Sequence, residues 1–161
     1  MALQQANSRN CFICGLDNPV GLHLVFYETS PGEVSAEVLL EEKYEGFPGM
    51  AHGGVVAAML DEACGRALMG SDPRQPRFMY TARLEIRYRQ HVPLNQPLRL
   101  QGKALKDRGR LATATASLAT QDGKVLAEAE ALLVDVPEGD YQGVDLENFG
   151  WKVYEEVKDD R

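Results

Sequence analysis

Ala51–Leu68 reads AHGGVVAAMLDEACGRAL. Apolar residues fill it at nearly every helical angle, and the spacing predicts a helix over roughly 53–69. Only Asp61, Glu62 and Arg66 break the apolar surface between Val55 and Met69. A helix of that kind is buried on most sides. A sheet must therefore curl around it, or a second subunit must cover what remains. The approach, Met50-Ala51-His52-Gly53-Gly54, offers no Ser, Thr, Asp or Asn as a cap, so the start is expected to be uncapped.

The surroundings of the helix say which sheet it meets. Upstream, GLHLVFYETSPGEVSAEVLLE reads as two strands joined at Ser30-Pro31-Gly32. Downstream, Phe78, Tyr80, Ala82, Leu84, Ile86 and Tyr88 alternate with Met79, Thr81, Arg83, Glu85, Arg87 and Arg89, a period of two. LRLQGKALKD, LATATASLAT and VLAEAEALLVDV follow as three more strands, linked by DRGR and QDGK. Asp122-Gly123 suits a type I′ hairpin turn. Two strands, one long helix and four strands in hairpin succession make an α+β fold with an antiparallel sheet. Residues 1–10 are polar and expected to be loose, residues 11–136 form one domain, and 137–161 are an acidic tail with a short helix expected around 145–157.

The whole chain sets bounds on function. Its 161 residues suit one domain with a real core. A composition 44% hydrophobic and 25% charged is that of a folded protein. The net charge of −7 argues against nucleic acid and anionic membranes as partners. No apolar run reaches the ~20 residues of a spanning helix. MALQQANSRN has no apolar core of a secretory signal. Three cysteines do not form a disulfide framework. A cytoplasmic location is expected.

Two readings of Asp61 stand at this point. It is a surface acid at the helix edge, or a functional carboxylate beneath a cavity left by its small neighbours Ala57, Ala58, Cys64 and Gly65. Glu62 and Arg66, at i,i+4 with the acid first, read as a solvated stripe. Gly53-Gly54 is either a turn needing positive φ or bare backbone that offers N–H donors to an anion or a developing oxyanion. Gly53 and Asp61 lie about 12 Å apart along one helix at 1.5 Å per residue. One carbonyl carbon cannot touch both, so a joint role requires a second, antiparallel copy and a homodimer with two equivalent sites.

These stretches together, GFPGMAHGGVVAAMLDEA, YTARLEIRYRQHVPL and the upstream CFICGLDNPVGLHLVFY, resemble the hotdog-fold acyl-CoA thioesterases, especially the phenylacetate-degradation type and the related mammalian thioesterase-superfamily members. The resemblance covers about residues 10–136. It implies a central helix wrapped by an antiparallel sheet, a homodimer often paired again into a homotetramer, and an acyl-CoA substrate with no separate cofactor. By position, the Gly53 amide would polarise the thioester carbonyl. Asp61 of the partner would be general base or nucleophile. Thr81 would hold the water or the carboxylate, and His52 is the motif histidine. Some relatives carry Asn or Gln six residues before the His, where this chain has Gly46. Thr81 falls on the polar face of its strand, which fits a dimer-facing site and a solvent-facing Thr equally. Two other functions fit the resemblance, a dehydratase or hydratase of acyl thioesters and a non-catalytic acyl-CoA binding module.

Cys11-x-x-Cys14 has no second CxxC or CxxH, and the histidines are scattered, so no metal is expected and the cysteines read as small buried hydrophobes. Arg83, Arg87 and Arg89, with Lys103, Lys106, Arg108 and Arg110 on the neighbouring hairpin, read either as a solvated face or as one basic cluster in an acidic chain. Arg89, Arg110 and Lys106 are its candidates for the phosphates of coenzyme A, with Gly54 near the thioester.

Overall fold

The period-two stretches all become strands in the computed structural model, which describes residues 1–155. In chain order the elements are β1 (Leu3–Gln4), β2 (Tyr27–Ser30), β3 (Glu33–Leu39), α1 (Gly53–Met69), β4 (Met79–Tyr88), β5 (Pro97–Asp107), β6 (Leu111–Thr120), β7 (Val125–Asp135) and α2 (Glu138–Tyr141). They build one antiparallel seven-stranded sheet in the order β1-β2-β3-β5-β6-β7-β4. The long strand β4 forms one edge.

One face of the sheet wraps α1. Alternation sends Val34, Ala36 and Val38 of β3, Leu98 and Leu100 of β5, Ala112, Ala114, Ala116 and Leu118 of β6, and Ala127, Ala129, Ala131 and Leu133 of β7 inward, all buried. The helix answers with Val56, Met59, Leu60, Ala63, Cys64 and Ala67. Burying Met59 and Leu60 contributes about 1.5–3 kcal/mol each. The alanines let the helix lie close, and Gly102 is the limit of that approach, because a Cβ there would collide with the Ala63 carbonyl.

Residues 1–10 are not loose. β1 pairs with β2, Gln5, Ala6 and Asn7 are buried, and Asn7 exchanges backbone hydrogen bonds with Lys152. This strap covers the side of α1 that the sheet leaves bare. Gln5 Nε2 donates to the Arg66 and Gly70 carbonyls at 3.0 and 3.2 Å, and Asn7 Nδ2 donates to those of Cys14 and Leu24 at 2.7 and 2.8 Å. Polar composition misled because these amides are spent on orphan carbonyls rather than on water.

The acidic tail also differs from expectation. Helix forms only at Glu138–Tyr141, and residues 145–155 are turns and extended chain; 156–157 lie outside the described residues. Trp151 and Tyr141 meet the Phe78 ring edge-on, at 5.3 and 6.1 Å. The β6–β7 turn is not type I′ either. Only Gly123 has positive φ, at 91°, and its N–H closes a turn on the Thr120 carbonyl at 3.0 Å. The four-residue loop 121–124 replaces a two-residue one. Among the described residues no helix is long and apolar enough to cross a membrane.

Candidate active site

The helix start is capped after all. His52 is the N-cap, and its Nδ1 accepts the Gly54 N–H at 2.9 Å. An imidazole nitrogen without a proton is an acceptor like the oxygen of Ser or Asn, which the sequence expectation overlooked. Val55 and Val56 donate to the His52 carbonyl at 3.0 and 3.1 Å. The Gly53 N–H is the one first-turn donor left without an acceptor among the described residues. Gly53 and Gly54 are exposed, so this donor opens to the outside.

Two neighbours shape the ground around it. Tyr88, from the end of β4, donates its hydroxyl to the Gly53 carbonyl at 2.7 Å. Sequence reading placed Tyr88 only as a period-two apolar residue; nothing in its spacing announces a helix terminus overhead. Gly46, six residues before His52, is the second. A Cβ there would sit 2.9 Å from His52 Cα, so in this chain the position is filled by backbone packing.

Asp61 lies in the middle of α1 and is half-buried. Its Oδ1 accepts from Thr81 Oγ1 at 2.6 Å. Simple alternation points Thr81 outward, and the structure overturns that. β4 pairs with β7 one-to-one except at Ala82, an extra residue between Thr81↔Leu133 and Arg83↔Leu132. This bulge reverses the parity of the strand. Below it Met79 and Thr81 face the helix; above it Leu84, Ile86 and Tyr88 do. A bulge leaves no mark in a hydrophobic pattern beyond a phase slip, and here the slip falls on a threonine and an alanine.

Asp61 and Thr81 line a cavity of about 250 Å³ that runs between α1, β4 and the strap. Gly65, one turn on from Asp61, keeps it open, since a Cβ there would meet nothing within 4 Å. The cavity above Asp61 is as its small neighbours suggest, though Cys64 points instead to the core and the Ala114 carbonyl. The far wall carries Cys11, Cys14, Arg66 and Trp151.

Glu62 and Arg66 are not a solvated stripe. Arg66 is 1% exposed, donates from Nε to Glu62 at 2.8 Å and from Nη1 to the Ala6 carbonyl at 2.6 Å, and lies between the Phe26 and Trp151 rings. The pair faces the strap, whose docking could not be read from the helix alone. Asp61 and Glu62 are thus adjacent carboxylates with different partners: a neutral hydroxyl for one, a buried guanidinium for the other.

The basic residues do not form one cluster. β7 separates β4 from the β5–β6 hairpin. Arg89 follows the end of β4 beside Leu126, whereas Lys106 and Arg110 lie at the opposite end of the sheet, where Arg110 meets Asp135. Arg89 is paired with Glu128 at 2.6 Å and Lys103 with Glu33 at 2.7 Å, and Arg87 faces Glu128 across the β4–β7 ladder. Acids interleave with bases on the outer sheet face, so its field is mixed rather than basic.

The family model of the thioesterase superfamily matches residues 48–127, the stretch from the helix approach to early β7. A crystal structure of a thioesterase-superfamily protein is 35% identical over 79% of this chain, at a TM-score of 0.70; the match spans 61% of that protein's length. Zebrafish thioesterase superfamily member 2 is 24% identical, covers 75% of this chain and 89% of its own, and has a TM-score of 0.64. A hypothetical thioesterase from Streptococcus pneumoniae with coenzyme A is 16% identical over 69% of this chain and 86% of its own, at 0.62. No curated protein matches the chain.

Proposed function

The chain belongs to the thioesterase superfamily and has its hotdog fold, and from that premise we propose that it hydrolyses an acyl-CoA thioester to the free acid and coenzyme A. The observation that carries the reading is the Asp61–Thr81 pair on the wall of a cavity. Asp61 has a hydroxyl to orient it and no cation among its described hydrogen-bond and ion-pair partners. It takes a proton from water as the water attacks the thioester carbonyl. The Gly53 N–H, assisted by the positive end of α1, donates to the oxygen that becomes negative. Collapse of the tetrahedral species breaks the C–S bond, and the protonated Asp61 returns its proton to the departing thiolate. His52, through the cap it gives Gly54, holds the first helical turn in place.

Gly53 and Asp61 are too far apart in one chain, and the free edge of β4 supplies the second copy. A ten-residue edge, unpaired among the described residues, is a template for another strand. Antiparallel pairing of β4 with itself about the point between Leu84 and Glu85 sets Tyr88 opposite Thr81 of the partner subunit, about 4.8 Å across. Tyr88 marks Gly53 and Thr81 marks Asp61, so the two halves of a site meet twice, as a twofold requires. The same pairing brings Arg89 of one subunit toward Lys106 and Arg110 of the other, which gives the phosphates of coenzyme A a split cradle, with Gly54 near the thioester. A structure of this fold with coenzyme A and one from Streptococcus mutans with acetyl-CoA support the CoA thioester as the substrate class.

Free-thiol release from a panel of short, long and aromatic acyl-CoAs tests the reading. Asp61→Asn keeps the shape and removes the base. Its kcat on the best substrate is expected to fall about 10²–10⁴-fold with melting unchanged. A fall of less than about fivefold would remove Asp61 from the chemistry.

A further inference from the structure

We propose that Cys11, Cys14 and Glu62 form a binding site for one soft divalent cation of the zinc type, with its fourth position toward the cavity beside Asp61. Sequence reading set a metal aside because Cys11-x-x-Cys14 had no companion pair. The companion comes from α1: one ligand atom from each of the three residues lies within 4.8 Å of the others.

The loop is built around the Cys11 sulfur. Ile13 and Cys14 both donate backbone N–H groups to it at 3.4 Å. The Gly15 N–H closes the loop on the Cys11 carbonyl at 2.8 Å, and a Cβ at Gly15 would run into the Cys11 backbone. Amides aimed at a sulfur favour its thiolate. A thiophilic cation bound by both sulfurs makes both of them thiolates.

Charge and donors agree. Two thiolates and the Glu62 carboxylate against the Arg66 guanidinium leave two negative charges, which one divalent cation balances. Arg66 Nε holds Glu62 Oε1, which orients a ligand from behind as outer partners of metal sites do. Thiolate sulfur selects zinc-like ions over magnesium or calcium. The cavity adds an independent sign. Among the described residues Arg66 Nη2 and Trp151 Nε1 are buried without an acceptor, and both residues line the cavity with the three ligands. A water or anion on the fourth position supplies the acceptor they lack. The cation would pin the strap to α1 at the residue next to Asp61.

The test needs no substrate, so it stands apart from the thioesterase reading. The full chain, kept reduced and stripped by chelator, is titrated with cobalt(II). The expected result is about one equivalent per chain, a thiolate-to-cobalt charge-transfer band in the near ultraviolet, and displacement by zinc. Cys11→Ser and Cys14→Ser should each lose the band. Glu62→Gln should keep it with about 10–100-fold weaker affinity. Reduced chain that takes up less than about a tenth of an equivalent overturns the site. So does a band that survives in the Cys11→Ser/Cys14→Ser double variant, or formation of a Cys11–Cys14 disulfide in place of cobalt uptake under the same reducing conditions.

Discussion

The two sides of α1 at its midpoint are built to opposite ends. Toward the strap, contacts within the chain tie the side chains down: Glu62 has Arg66, Arg66 has the Ala6 carbonyl and two rings, and Gln5 takes the carbonyls of Arg66 and Gly70. Toward β4, Asp61 has one hydroxyl, Gly65 leaves space, and beyond lies an unpaired strand edge. A carboxylate locked to a buried guanidinium is tied up in that pair. One held by a single hydroxyl on an open wall can be reached by water. The strap side holds the helix within the chain; in the proposed reading the β4 side is completed by a second copy.

The sharpest way to break this contrast is to ask whether the β4 side works across two chains. Gly53→Pro removes the amide donor and fits the backbone. Proline suits the first helical position, His52 at φ −62°, ψ 132° has the extended conformation that precedes proline, and the nearest atoms to a new Cβ are those of Tyr88 at 3.7 Å. Gly53→Pro and Asp61→Asn should each be nearly inactive. After subunit exchange in equal amounts, half the dimers are mixed and each holds one intact site, so activity should return to about a quarter of wild type. Proven exchange without recovery would place Gly53 and Asp61 outside a shared site.

The strap side should respond in stability instead. Gln5→Ala takes the side-chain donor away from the Arg66 and Gly70 carbonyls at the end of α1, at a cost of about 2 kcal/mol. Denaturant midpoints should fall while kcat per folded molecule holds. An equal drop in kcat with an unchanged midpoint would mean that the strap takes part in the reaction rather than in holding α1.

The sequence made the β4 side legible only in its parts. Helix α1 was readable over Gly53–Met69 because seventeen residues of dense apolar character leave little choice. β5, β6 and β7 were readable because their faces alternate without interruption. Thr81 was found as a residue but aimed the wrong way, since the bulge at Ala82 is set by pairing with β7 and not by side-chain type. The strap side was illegible. Gln5, Asn7 and Trp151 look like surface residues until the segments that carry them close over α1, and that closure rests on backbone carbonyls that no side-chain pattern records. For the same reason Glu62 and Arg66 passed for a solvated pair, and Cys11 and Cys14 for small buried hydrophobes.

The smallest effect expected lies at the edge of the open side, with Arg89. In one chain it is half-exposed and tied to Glu128, so its charge is partly neutralised already. That lowers the expected gain from a phosphate, because the guanidinium must share its donors between Glu128 and the ligand. Arg89→Ala should raise KM for acyl-CoA only about two- to fivefold with kcat nearly unchanged, since distant phosphates feel similar contacts in ground and transition states. The effect should vanish for acyl-pantetheine, which lacks the nucleotide. It should also shrink in high salt, because exposed charges are screened over about 8–10 Å at moderate ionic strength. Arg110→Ala, at the other end of its own chain but facing Arg89 of the partner subunit in the paired arrangement, should show the same dependence on the nucleotide. If Arg89→Ala alone discriminates between the two substrates, the cradle is not split between subunits. If both variants change both substrates equally, the arginines act on the fold and the phosphates are held elsewhere.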